Sequence, residues 1–137
     1  MKRTFIDTGV LIAAARGQND VAIRAMAILD DPNREFASSI FVKLEVLPKA
    51  IYNQKTSEAA FYQAFFDAVT HWAKAEESLI ANAFQEACQL GLSAIDALHV
   101  AAPLSVSAEE LITTEKPSKP IHRVTKIKVI SIALNES

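Results

Sequence analysis

The sequence is short of several things, and each shortage removes a class of protein. It holds one cysteine, Cys88, so no disulfide can close within the chain. Cys88 reads as a small apolar residue buried in a helix, and a reducing cytoplasm suits the composition. The three glycines, Gly9, Gly17 and Gly91, are too scattered to form a glycine-rich phosphate loop, and no second acid adjoins Asp7. A nucleotide-binding or phosphoacceptor domain therefore ranks last. No apolar run is long enough to span a bilayer, so no membrane association is expected. Lys2-Arg3 precede apolar residues as in a secretory signal, but Asp7 interrupts that stretch and Arg16 closes it. The segment reads instead as a buried strand. There is no internal repeat and no low-complexity tract.

Half of the 137 residues are apolar and 22% are charged, with a net charge of −2. That is the composition of one folded domain with a sizeable core, here residues 1–137. The small net charge hides a local asymmetry. Lys116, Lys119, His122, Arg123, Lys126 and Lys128 follow one another with no acid between them. They form either a solvated face or a rim that attracts phosphate.

Short apolar runs alternate with helical patterns. Thr4-Phe5-Ile6 reads as a strand ending at Asp7, followed by a helix over 10–15 that closes near Gly17. Asn19 caps a second helix, which stops at Asp31-Pro32-Asn33. A strand at Glu35-Phe36-Ala37 leads to Ser39 and a helix with the apolar stripe Ile40, Leu44, Leu47 and Ile51. Pro48 should kink that helix one turn from Glu45. A further helix starts near Thr56 with Phe61, Phe65 and Val69. His71-Trp72-Ala73 reads as a brief strand. The helix 76–90 carries Leu79, Ile80, Ala83, Phe84 and Ala87 on one face and stops at Gly91. Ser93 caps a helix bearing Asp96 and His99, which Pro103 ends or bends. Strands at 111–113 and 128–132 complete the pattern. Such alternation predicts an α/β fold with a central parallel sheet covered on both faces. Sites in such sheets form beyond the carboxyl ends of the strands.

Four acids stand out in that frame. Asp7 directly follows the first strand, and Glu115 follows the strand 111–113 after Thr114. Asp96 lies in the first turn of its helix among Ile95, Ala97 and Leu98. Glu45 sits between Leu44 and Val46. Each has a plain structural reading: Asp7 as a helix cap, Asp96 as partner of Ser93 in a capping box, Glu45 and Glu115 as solvated acids. Together they suggest more. Carboxylates drawn close repel one another, and a divalent cation reverses that penalty. Oxygen ligands suit Mg²⁺ or Mn²⁺, and such an ion supports hydrolysis of a phosphate ester. His99, one turn after Asp96, reads as a buried histidine packing in its helix, without a catalytic role. The Thr8 and Thr114 hydroxyls read as turn or capping groups.

At these residues the sequence resembles the PIN-domain family, and within it the VapC-like toxin ribonucleases. The matching segments are residues 5–12 around Asp7, 43–48 around Glu45, 92–102 around Asp96 and 111–116 around Glu115, in order and across nearly the whole chain. Two positions depart from the pattern: Gly9 where asparagine or serine is usual, and Glu115 where aspartate is usual. The resemblance implies a PIN-like three-layer sandwich and metal-dependent cleavage of single-stranded RNA. It also implies an antitoxin partner and pairing as a homodimer. On it, Asp7 and Asp96 would be the principal metal ligands. Glu45 would complete the pocket or place the attacking water, and Glu115 would assist through a metal-bound water. The other reading of the same residues is a catalytically weak or inactive PIN-like module that binds RNA or protein.

Overall fold

The computed structural model describes residues 1–133. Five parallel strands form one sheet: β1 (Lys2–Ile6), β2 (Arg34–Ser39), β3 (His71–Ala73), β4 (Glu110–Thr113) and β5 (Lys128–Ser131), in the spatial order β3-β2-β1-β4-β5. Six helices connect them: α1 (Thr8–Arg16), α2 (Asp20–Leu29), α3 (Ile40–Tyr52), α4 (Thr56–Ala68), α5 (Glu77–Leu90) and α6 (Ala94–Ser105). A short 3₁₀ turn, Pro120–Arg123, precedes β5. The α/β expectation holds, and so does every strand and helix read from the pattern. None of the described helices is long and apolar enough to cross a membrane.

The order of strands locates the site. The chain steps outward from β1 to β2 to β3, then crosses back to β4 and on to β5. α1 packs with α2, α3 and α4, and α5 packs with α6, as the right-handed rule for parallel crossovers requires of helices on opposite faces of this strand order, which makes three layers. The direction of winding reverses between β1 and β4, and the crevice at their carboxyl ends is where such sheets bind ligands. The central strands are buried on both faces: Phe5, Ile6, Leu111 and Ile112 are fully covered. The Asp7 amide extends the ladder by donating to the Ile112 carbonyl at 3.0 Å. That bond seats Asp7 beside the end of β4.

Local caps behave as their residue types dictate. Asn19 accepts from the Ala22 amide, Ser39 from Val42 and Ser93 from Asp96. Gly91 ends α5 at φ 66°, a left-handed conformation that glycine adopts without strain. Pro48 does not end α3, which runs on to Tyr52, and Pro103 stands inside α6, which continues to Ser105.

Three outward-facing groups differ from the sequence pattern. Cys88 is exposed, not buried. The covered side of α5 runs through Leu79, Ala83 and Glu86. Cys88 falls in line with Ile80 and Phe84 on the neighbouring face, and both of these are exposed. On α3 the buried residues are Val42, Val46 and Ala50. The larger stripe turns outward: Ile40, Leu44 and Ile51 are exposed, Leu44 by 61%. On α3 packing covers the face with the smaller side chains, and on α5 it covers a face that includes the charged Glu86.

Candidate active site

Asp7 is the N-cap of α1 and is buried. Its Oδ1 accepts from the Thr8 amide at 2.9 Å, and its Oδ2 accepts from the Thr113 hydroxyl at 2.8 Å. The plain capping role is therefore real. It uses only one of the two carboxylate oxygens, and the other faces the last residue of β4. The N-terminus of α1 adds a favourable dipole for negative charge at this point.

Thr8 links Asp7 to the next acid. Its hydroxyl donates to Glu45 Oε1 at 2.8 Å. Glu45 projects from α3 and is about a third exposed. The same oxygen is met by Nε2 of His99 from α6. One chain of contacts thus runs Thr113, Asp7, Thr8, Glu45, His99, and it joins β4, α1, α3 and α6 over the switch point.

Asp96 lies one turn before His99 on α6, at the spacing that puts two side chains on one side of a helix. It is half-buried, and its amide donates to Ser93 Oγ at 3.2 Å. The capping half of that reading is thus present. Glu115 enters differently. Its amide donates to the Thr113 hydroxyl at 3.1 Å, while the residue itself is exposed. Its backbone, through Thr113, supports Asp7.

Two members of this arrangement escape the sequence reading. Thr113 holds Asp7; its place as the last residue of the strand beside β1 is the available signal. His99 is buried as expected, but it contacts Glu45, 54 positions earlier. Its spacing from Asp96 hints at the site and says nothing of that partner.

The donors are hard oxygens, the chemistry Mg²⁺ and Mn²⁺ prefer. Among the described residues, however, no three His, Cys, Asp or Glu side chains are grouped closely enough to hold a metal ion. In this arrangement the Asp7 and Glu45 carboxylates are met by hydrogen-bonding groups of the protein instead.

Gly9 and Thr114 adjoin the same edge. A Cβ at residue 9 would lie 2.1 Å from the Thr114 hydroxyl oxygen, so a side chain there and Thr114 in its present rotamer exclude each other. The basic run is partly committed within the protein. Arg123 donates to the Leu90 carbonyl at the end of α5, Lys126 pairs with the buried Glu86, and His122 Nε2 donates to the Glu115 carbonyl. Lys119 and Lys128 are exposed on the same segment.

No protein-family model matches this sequence, and no curated protein matches it. Solved structures do. VapBC2 from Rickettsia felis, bound to a DNA fragment from its promoter, aligns with a TM-score of 0.70 at 15% identity, covering 94% of this chain and 98% of that one. VapBC-1 from nontypeable Haemophilus influenzae aligns with a TM-score of 0.70 at 20% identity, covering 95% and 98%. A toxin–antitoxin complex from Klebsiella pneumoniae aligns with a TM-score of 0.70 at 17% identity, covering 94% and 97%. The fold is PIN-like. At such low identity the likeness is one of fold, and it extends over nearly the full length of both partners.

Proposed function

We propose that this chain is a metal-dependent endoribonuclease that hydrolyses phosphodiester bonds of single-stranded RNA, acting as the toxin of a toxin–antitoxin pair in the cytoplasm. The observation that carries the reading is Asp7: a buried carboxylate at the topological switch point, joined through Thr8 to Glu45. To hold Mg²⁺ or Mn²⁺, Asp7, Asp96 and Glu45 would have to draw closer than they stand in this arrangement, with Glu115 assisting through water. The ion would lower the pKa of a bound water and offset charge on the phosphate. Within the chain Asp7 accepts from the Thr8 amide and the Thr113 hydroxyl, and Glu45 contacts Thr8 and His99. Lys119, exposed in the segment that follows β4, supplies positive charge suited to an RNA backbone.

The exposed apolar side of α3, with Ile40, Leu44, Leu47, Ile51 and Tyr52 around one groove, supports a protein partner, because such contiguous apolar patches mark interaction sites. An antitoxin is the partner in this reading, and a homodimer would cover the second patch at Ile80 and Phe84. The deciding experiment is incubation of the purified protein with mixed single-stranded RNA and Mn²⁺, with and without excess EDTA. Cleavage that stops on chelation is expected; cleavage that persists in EDTA removes the metal from the reading.

A second reading is a PIN-like module that binds RNA or protein without cutting. It is favoured by the lack of a three-donor group among the described residues. RNA binding with no products under Mg²⁺ or Mn²⁺ would select it.

A further inference from the structure

His99 stands outside the acid set and is hard to explain as packing. It lies on α6 between Leu98 and Val100 and is almost wholly covered. Nε2 meets Glu45 Oε1, while Nδ1 is buried with no hydrogen-bond partner. A buried polar atom without a partner destabilises a fold. A leucine at this position would fill the space and leave nothing unsatisfied. Packing alone therefore gives no reason for an imidazole here. The contact with Glu45 does.

Glu45 needs such a contact. It is a rotamer-rich side chain, partly open to solvent, and free it would sample many orientations. Two donors from two other helical segments converge on a single oxygen: the Thr8 hydroxyl from the first turn of α1 and His99 Nε2 from the covered side of α6. Two contacts on one oxygen restrict the orientations open to the carboxylate. Since Thr8 also follows Asp7, these contacts restrict Glu45 relative to Asp7 as well.

We propose that His99 is a positioning residue that, together with Thr8, holds the Glu45 carboxylate in its working orientation. The proposal rests on the nuclease reading for its effect on rate, but the positioning itself can be measured without catalysis. Groups that orient a functional carboxylate or ligand change activity by about 10- to 100-fold when removed.

The test uses His99→Leu and His99→Gln in the full chain. In His99→Leu the thermal midpoint should be unchanged or higher, while kcat for RNA cleavage falls by about 10- to 100-fold with little change in KM. His99→Gln, whose amide can donate to Glu45, should recover much of the rate. His99→Leu should add little further loss in a Glu45→Gln background, because the two act as one unit. The χ1 couplings of Glu45, read by NMR on the metal-free protein, supply an arm independent of activity. One dominant rotamer in wild type and averaging in His99→Leu are expected. Unchanged couplings, or a rate loss that only follows loss of folded protein, would overturn the proposal. If wild type cuts no RNA while Glu45 loses its order in His99→Leu, the nuclease reading fails and the positioning role stands.

Discussion

The hydroxyl oxygen of Thr114 occupies the space that a side chain at Gly9 would enter, 2.1 Å from the position of a Cβ there. Glycine at residue 9 and threonine at 114 are thus a matched pair across the ends of α1 and β4. Gly9→Ala should destabilise the protein by about 1–3 kcal/mol through overpacking. In a Thr114→Ala background the nearest atom becomes the residue 114 Cβ at 3.4 Å, an ordinary contact. There the same substitution should be neutral or stabilising, by up to about 1 kcal/mol from helix propensity. Urea unfolding of the four proteins in this cycle measures the change of sign.

Asp7 combines a cap with a proposed chemical role, and two substitutions separate them. An asparagine side chain at this position retains a capping oxygen. Asp7→Asn should therefore stay within about 0.5 kcal/mol of wild type in stability, yet lose RNA cleavage by about 100-fold or more. Asp7→Ala should lose the cleavage and also about 1 kcal/mol of stability, through the missing cap. Cleavage rates and thermal melts on the same preparations check both. An Asp7→Asn protein that cuts at the wild-type rate would remove Asp7 from the chemistry.

Leu44 and Ile51 gain little from the fold, since each is exposed by 61%. The double substitution Leu44→Glu, Ile51→Glu should alter stability by no more than about 0.5 kcal/mol per site. It should also abolish association with the proposed antitoxin. Size-exclusion chromatography of the co-expressed pair reads the second effect. A complex that survives both charges would place the partner elsewhere.

The acid limit of stability should depend on Glu58. Burial alone would raise its carboxyl, but donation from the Tyr62 hydroxyl and the contact with Arg16 outweigh this and hold it below the ordinary carboxylate value. A group lowered in the folded state stabilises it above the unfolded-state pKa, and that stability disappears as pH falls through the lowered value. Chemical unfolding across pH 5 to about 3 should show a shallower acid loss in Glu58→Gln than in wild type. Between about pH 6 and 8 the variant should be uniformly less stable. Equal slopes would show that the Arg16–Glu58–Tyr62 contact between α1 and α4 has no net effect.

Much of this molecule was legible before its structure. Asp7 after a buried run, Asn19, Ser39 and Ser93 before helical patterns, and Gly91 at a helix end all follow from the preferences of single residues for particular backbone positions. The parallel sheet followed from the alternation of buried runs with helices. The four acids could be named because each stands at an element edge or in apolar surroundings. Their relations could not be read in the same way. Glu45 meets His99 and Thr8, whereas Glu115 joins through its backbone with its side chain outside.

What the chain determined by itself is periodic and local: which segments are strands, which are helices and where each stops. Those properties depend on φ/ψ preference and on side chains a few positions apart. Only the tertiary structure decided which face of α3 and which face of α5 would be covered. It left Leu44, Phe84 and Cys88 outside and brought a histidine from α6 onto a glutamate from α3. Those outcomes depend on what packs against a helix, and a helix's own period holds no record of its neighbours.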